Sequence, residues 1–271
     1  MHFFRYAQDY YGDWLAVQLL PEAGALLVWL VAGFIGIHLL RRSFATPVPL
    51  SEDDRPPVLS NEAVQKYEIG QRLYHWGNFL FLTILAVSGY ALFIPRSLKS
   101  PLPSWVLIHE LFSALFIAGL LVHMVAALTR GERHTMWFDR TDWRDLRTVI
   151  ANFFGRTRRY PRIGKYDPVQ KLYHAFISLL SAVMVFSGTF LVCSTENWTT
   201  LSHEWMRWQR LLHDVGAFVF IAIILGHIYF GLIKANWPEL IAIFTGKISA
   251  SHFGSKHSVA RWIPKSDRKG S

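Results

Sequence analysis

The sequence predicts an all-α integral membrane protein with five spans, of which four form a helical bundle and one additional transmembrane helix precedes it. Hydrophobic residues make up 52% of the 271 residues and charged residues only 17%, whereas about a quarter of a soluble domain is charged. Five stretches are long and apolar enough to cross a bilayer core, which takes about 20 residues. Histidines recur within these stretches at a fixed interval.

The predicted spans are separated by polar or proline-containing segments. They cover Pro21–Leu40, His75–Ile94, Trp105–Leu128, Val169–Leu191 and Leu212–Ile233. Pro168 stands just before the fourth span, where proline suits the first turn of a helix. The first 20 residues lack the basic segment of a cleavable secretory signal, so we expect the first span to be retained.

Basic residues indicate the orientation, because positively charged loops stay on the cytoplasmic side. Residues 41–74, 129–171 and 234–271 contain 23 of the 28 Lys and Arg. The N-terminus and the loops near Pro101 and Trp198 are therefore expected outside, and the C-terminus in the cytoplasm. The net charge of +9 follows this sidedness, so anionic lipid headgroups are the expected partner and nucleic acid is not.

The spans divide the chain into four predicted parts. These are an N-terminal segment with the first span (1–45), a cytoplasmic linker (46–70), the bundle (71–235) and a cytoplasmic tail (236–271). Pro, Asp and Glu are frequent in residues 51–68, which predicts at most one short helical turn there. Residues 250–271 are expected to be similarly loose.

Two histidine pairs are separated by 14 positions, His109 with His123 and His213 with His227. In an α-helix this spacing advances about 21 Å and returns to nearly the same face. Imidazole is an axial ligand of haem iron, so two such helices side by side could hold two haems. The single Cys193 excludes a cysteine-ligated iron–sulfur cluster. The sequence therefore predicts a transmembrane electron carrier.

The predicted topology sorts seven histidines by depth. His109 and His213 open the third and fifth spans at the outer side and can meet across one haem. The inner side carries His38, His75, His123, His174 and His227. Spacing permits an inner haem between His123 and His227 and equally between His75 and His227. A single intramembrane histidine can also serve only as a hydrogen-bonding group between helices.

Three segments resemble the cytochrome b (gamma) subunit of respiratory formate dehydrogenases. They are Gln71–Trp76, Gly164–Lys171 and Leu212–Tyr229. The cytochrome b subunits of membrane-bound nickel–iron hydrogenases share the first and the last. The resemblance extends from about Tyr67 to Trp262 and implies a four-helix bundle that holds two haems b.

The resemblance also implies which residues bind the haems. The ligands would be His109 and His213 at the outer haem, and His75 and His227 at the inner haem. Arg72, one turn before His75, would pair with a haem propionate or anchor the helix at the headgroups.

The same resemblance implies a menaquinone or ubiquinone site beside the inner haem. Its candidate residues are Lys165, Tyr166, Asp167, Gln170 and His174. The formate dehydrogenase pattern has Asn in place of Asp167 and Gly in place of Val169. The Asp167 carboxylate could relay a proton to reduced quinone, while an Asp-Pro pair is equally typical of a helix N-cap and first turn. His38 and His123 then remain as hydrogen-bonding groups.

The implied function is electron transfer in the bacterial cytoplasmic (inner) membrane, with substrate chemistry left to partner subunits. A catalytic molybdenum or tungsten subunit, or a nickel–iron one, would oxidise substrate outside and supply electrons through an iron–sulfur subunit. The inner haem would deliver them to quinone. Two other classes stay open. A transporter could use the histidines as a proton relay without haem, and a structural anchor would need no redox centre.

Overall fold

A computed structural model describes residues 4–8, 14–19, 21–44, 63–93, 104–129, 133–156, 160–195 and 201–262. The loops near Pro101 and Trp198, most of the predicted linker and the last nine residues lie outside these ranges. The elements in chain order are β1 (Phe4–Gln8), β2 (Trp14–Leu19), α1 (Pro21–Phe44), β3 (Ala63–Gln65), α2 (Ile69–Phe93), α3 (Trp105–Thr129), α4 (Arg133–Met136), α5 (Arg140–Phe153), α6 (Pro168–Thr195), α7 (His203–Leu232), α8 (Trp237–Thr245), β4 (Lys247–Ser249), α9 (Ala250–Lys256) and α10 (Val259–Trp262).

Four helices, α2, α3, α6 and α7, are long and apolar enough to cross a membrane. They confirm the last four predicted spans. Large apolar side chains project from their surfaces, with Leu107 63%, Val122 70% and Leu179 64% exposed. Such helices are stable in lipid because the acyl chains cover the apolar side chains and the backbone satisfies its own hydrogen bonds.

The first predicted span also forms a helix, α1. Among its described side chains, the apolar stretch runs from Leu26 to Arg41 and is shorter than the other four. The fifth span therefore stays a prediction.

Contacts along the chain define two compact units, and each of the four long helices contributes residues to both. The first unit comprises Met1–Phe34, Gly77–Leu120 and Ile177–Ile228. The second unit comprises Ile35–Trp76, Leu121–Phe176 and Tyr229–Ser271.

The first unit contains an antiparallel hairpin of β1 and β2, in which Phe4 pairs with Leu19 and Gln8 with Trp14. Arg207 of α7 donates a hydrogen bond to the carbonyl oxygen of Ala16 at 3.0 Å. This bond connects the hairpin to the helical part of the same unit.

The second unit is more ordered than the sequence predicts. In the predicted linker, Ala63–Gln65 forms strand β3, which pairs antiparallel with β4. The tail that we expected to be loose forms α9 and α10. The backbone amides of Lys66 and Tyr67 also donate to the carbonyl oxygen of Gly246, which extends the pairing of β3 with β4. The helix α9 has its own N-cap, because the Ser249 side chain accepts from the backbone amide of His252.

A buried ion-pair network holds α5 in the second unit. Lys171 Nζ lies 2.8 Å from Asp142 Oδ2, with both side chains at least nine-tenths buried. Arg261 contacts Asp142 at 3.3 Å and Asp145 at 2.6 Å. Asp139 caps the start of α5 by accepting from the backbone amides of Thr141 and Asp142. The network thus joins α5, the first turn of α6 and the C-terminal α10.

We expect Asp142→Ala to lower the free energy of unfolding by about 3 kcal/mol or more, because it leaves the buried Lys171 ammonium without its carboxylate. Arg144→Ala is the control, since the Arg144 side chain is 78% exposed and should change stability by less than about 1 kcal/mol. Denaturant unfolding of the purified chain in detergent measures both. Equal losses in the two variants would contradict this role for the network.

Candidate functional site

His109 of α3 is oriented by a serine of α2. The Ser88 hydroxyl lies 2.9 Å from His109 Nδ1 and donates its own proton to the carbonyl oxygen of Ile84 at 2.8 Å. A hydroxyl has one proton, so a Ser88 that donates to Ile84 accepts the Nδ1 proton of His109. In that tautomer the imidazole presents Nε2 with a free lone pair, as a metal ligand must.

His213 of α7 has the same environment, provided by α6. Ser187 donates to the carbonyl oxygen of Val183 at 2.8 Å, and its oxygen lies 3.0 Å from His213 Nδ1. In the tautomer in which Ser187 accepts from Nδ1, Nε2 of His213 is the second available ligand atom. Ser88 and Ser187 are both fully buried, so their partners are set within the protein.

The two imidazoles lie together in the first unit. The ring centres of His109 and His213 are 6.2 Å apart, and the ring planes are inclined by 74°. A transition-metal ion lies about 2 Å from an imidazole nitrogen, so two imidazoles on opposite sides of one iron have centres roughly 6 Å apart. The predicted outer pair is therefore brought together at the separation that one haem iron requires.

A glycine stands beside each of these imidazoles. A Cβ at Gly89 or at Gly188 would lie 3.2 Å from Cε1 and 3.6 Å from Nδ1 of its histidine. A side chain at either position would require the ring to shift by a few tenths of an ångström, so glycine favours the close approach. The distances at the two positions are identical, which gives the site two matching halves.

The second unit holds another close pair of histidines. The ring centres of His123 in α3 and His174 in α6 are 6.5 Å apart. The ring of Tyr74 stacks on His123 at 3.9 Å, nearly parallel. This proximity was not predicted, because neither the spacing nor the family resemblance paired His123 with His174.

The predicted inner pair is divided between the units. His75 belongs to the second unit, where its ring meets Trp76 edge-on, and His227 belongs to the first. The His75 and His227 ligation stays a prediction.

His38 has the interhelical role that the sequence analysis considered. Its Nδ1 lies 2.6 Å from the Tyr229 hydroxyl. Its ring stacks on Phe153 with a centre distance of 4.1 Å. These contacts hold α1, α5 and α7 together in the second unit.

Arg72 contacts the C-terminal end of α8. Its Nη1 donates to the carbonyl oxygen of Phe244 at 2.5 Å. Among the described residues, the buried Arg72 Nε has no hydrogen-bond partner. Arg72 thus anchors α2 and keeps one donor for an anion such as a carboxylate.

Asp167 caps α6, as the Asp-Pro pair predicts. Its carboxylate accepts from the backbone amide of Gln170 at 2.8 Å, and the Gln170 side chain accepts from the Asp167 amide at 3.0 Å. Burial raises the pKa of the Asp167 carboxyl, and the Tyr160 hydroxyl lies 3.5 Å away. Burial, the proximity of Asp167 and the hydrogen bond to it also raise the pKa of Tyr160.

The other predicted quinone-site residues lie around the same helix start. Lys165 is buried, and its Nζ lies 5.8 Å from the centre of the Tyr166 ring. The Tyr166 ring is 6.3 Å from that of Tyr67. His174 follows within two turns of α6. Lys165 is buried and the other four side chains are half-buried, so the start of α6 carries both hydroxyl and charged donors.

Ser88 and Ser187 were not predicted, although a repeat in the sequence points to them. The segments Gln71–His75 and Gln170–His174 are identical at four of five positions, and the Ser-Gly pairs at 88 and 187 follow at the same spacing of 99 residues. The repeat relates α2 to α6. Each of these helices carries a serine whose hydroxyl oxygen lies 2.9 or 3.0 Å from Nδ1 of a histidine in the next helix.

Comparisons with known proteins agree with a membrane cytochrome. The family model described as "Prokaryotic cytochrome b561" matches residues 66–246, which include the four long helices. The chain is also similar to an Escherichia coli (strain K12) protein named "Putative cytochrome YdhU", with 24% identity over 237 residues. That alignment covers 83% of this chain and 84% of the other.

Proposed function

We propose a specific electron-transfer role for this chain, which belongs to the prokaryotic cytochrome b561 family and is a multi-pass membrane cytochrome with haem b. The proposed role is to carry electrons from an oxidoreductase on the outer side of a bacterial inner membrane to quinone at the inner side. The observation that carries the proposal is the His109 and His213 pair, whose ring centres lie 6.2 Å apart.

The residues of this pair suit an outer haem site. Ser88 and Ser187 hold the imidazoles in the tautomer that offers Nε2, and Gly89 and Gly188 leave room beside the rings. When bound there, haem b supplies a carrier that accepts and donates one electron at a time.

A second haem is proposed at the inner side. His227 follows His213 by 14 residues in the continuous helix α7, which separates them by about 21 Å. The family resemblance favours His75 as its partner. The 6.5 Å between the ring centres of His123 and His174 supports a second candidate pair for the same haem.

The quinone site is proposed at the start of α6, among Lys165, Tyr166, Asp167, Gln170 and His174. Reduction of quinone by two electrons takes up two protons. A buried carboxyl with a raised pKa and an adjacent tyrosine hydroxyl can hold and transfer them. Asp167 is the residue that we propose for this transfer, in addition to its capping role.

The partner that we propose is a formate dehydrogenase, with its iron–sulfur subunit adjacent to the outer haem. A nickel–iron hydrogenase or another molybdenum or tungsten oxidoreductase is the alternative. Purification of the chain with its partners from native membranes tests this. A molybdopterin subunit that reduces the haem with formate supports the proposal, and a nickel–iron subunit that does so with hydrogen overturns the formate assignment.

We expect the wild-type chain to contain about two haems b, and His213→Ala to contain about one, because the iron loses an axial ligand. Reduced-minus-oxidised spectra with pyridine-haemochrome quantification provide the measurement. The inner haem distinguishes the two candidate pairs. Loss of this haem in His75→Ala but not in His174→Ala supports the pairing of His75 with His227. Loss in His174→Ala but not in His75→Ala supports the pairing of His123 with His174. His203→Ala, at an exposed position in the first turn of α7, is the control that should keep both haems.

Ser187→Ala should weaken haem retention at the outer site by about 10- to 100-fold, the usual effect of removing a group that orients a metal-binding imidazole. It should also shift the low-spin electron paramagnetic resonance signal of one haem. Ser181→Ala is a matched control in the same helix, since Ser181 is buried and, among the described residues, its hydroxyl bonds only to the carbonyl oxygen of Ile177. An unchanged signal in the Ser187 variant would show that the hydroxyl does not act on the haem ligand.

Asp167→Asn separates the two roles of this residue. Asn caps helices as well as Asp does, so stability should hold, whereas quinone reduction should slow by at least about tenfold because the amide cannot carry a proton. Asp167→Ala should in addition lose about 1 kcal/mol of stability through the missing cap. Electron transfer from the reduced haem to a quinone analogue, measured by stopped flow, would remain at the wild-type rate in the Asn variant if Asp167 were only a cap.

A further inference from the structure

Three potential metal-binding side chains meet in the second unit, away from the membrane-length helices. Glu239 lies in the first turn of α8, His252 in α9, and His257 directly after α9. One ligand atom of each lies within 4.8 Å of the other two. The strand β4 lies between α8 and α9, and its pairing with β3 brings Lys66, directly after β3, to this region.

His257 is held in the tautomer that leaves Nε2 as a lone-pair donor. The side chain is buried, and Nδ1 donates to the carbonyl oxygen of Gly164 at 2.7 Å. Its Nε2 lies 3.7 Å from Glu239 Oε1, beyond hydrogen-bonding distance. Within the described part of the chain this buried nitrogen has no partner at hydrogen-bonding distance, and the group that it faces is the Glu239 carboxylate.

Glu239 directs one carboxylate oxygen at both imidazoles. Its Oε1 lies 3.4 Å from His252 Nε2, at the outer limit of a hydrogen bond. Its Oε2 accepts from Lys66 Nζ at 2.5 Å. Because Lys66 occupies Oε2, Oε1 is the oxygen available to a cation, and the carboxylate would bind through that oxygen alone.

We propose that Glu239, His252 and His257 bind a divalent transition-metal ion of the zinc class. In a tetrahedral zinc site, ligand atoms about 2.0 Å from the metal are roughly 3.3 Å apart. The two carboxylate-to-imidazole distances of 3.4 and 3.7 Å approach this value. Two imidazoles select such an ion over calcium or magnesium, which prefer oxygen ligands.

The surrounding contacts are those that orient ligands in metal sites. Imidazole ligands donate their other nitrogen to a backbone carbonyl, as His257 does to Gly164, and carboxylate ligands are themselves hydrogen-bonded, as Glu239 is to Lys66. Three protein ligands leave one position for water. The ion would connect α8 to the end of α9, and it requires neither the haems nor the partner that we propose above.

The test uses the full-length chain with its haem, purified in detergent through a histidine-free tag. The chain is treated with a chelator and then dialysed against micromolar Zn²⁺. Elemental mass spectrometry should then find about one zinc ion per chain. X-ray absorption at the zinc edge should show two imidazoles and one carboxylate. His252→Ala should weaken zinc binding by at least about tenfold, and Glu239→Gln should do the same.

His203→Ala is the matched control, because His203 lies outside the cluster and its loss should leave zinc binding unchanged. Retained haem content shows that each variant is folded. His252 is the preferred first substitution, since its imidazole makes no backbone hydrogen bond in the described structure. The proposal is overturned if the wild-type chain binds no zinc, or if all variants retain zinc equally. Either result would identify Glu239, His252 and His257 as a cluster held by ion pairs alone.

Discussion

The proposed outer haem site depends on where one proton of each imidazole goes. Inside a membrane no water is available to accept it, and an unsatisfied polar group there is unfavourable by several kcal/mol. Ser88 and Ser187 offer an acceptor each when their own protons go to the helix backbone. In that tautomer the same contact meets the hydrogen-bonding requirement of the lipid phase and would present Nε2 to an iron.

The second unit is stabilised by different forces. Buried ion pairs connect segments distant in the sequence, as Lys66 with Glu239, Lys171 with Asp142 and Arg261 with Asp145. Each cation has a fixed partner, so removal of one member leaves an uncompensated charge. Burial lowers the pKa of Lys66, and its bond to Glu239 opposes that effect. Polar residues that the sequence assigns to a linker and a tail thus become the interior of a folded unit.

Much of the fold could be predicted because its signals are local. The four long helices follow from apolar length, and the approach of His109 and His213 follows from their matching positions in two spans. The strands β3 and β4 could not be found this way, because each has three residues and exists only through pairing across the sequence. Likewise His123 and His174 meet through the packing of α3 against α6 in the second unit, which no spacing along one helix reveals. The serines were detectable from the repeat, which a search for ligand types alone overlooks.

The Ser–His contacts also bear on the order in which the protein is made. Ser88 and His109 belong to consecutive helices, as do Ser187 and His213, so each imidazole is oriented by its own helical pair. A pair that leaves the ribosome and enters the membrane can fix its histidine before the other pair is synthesised. The two oriented histidines, His109 and His213, then need only to come together. The entropy of ordering these side chains is therefore lost during membrane insertion rather than when the cofactor binds.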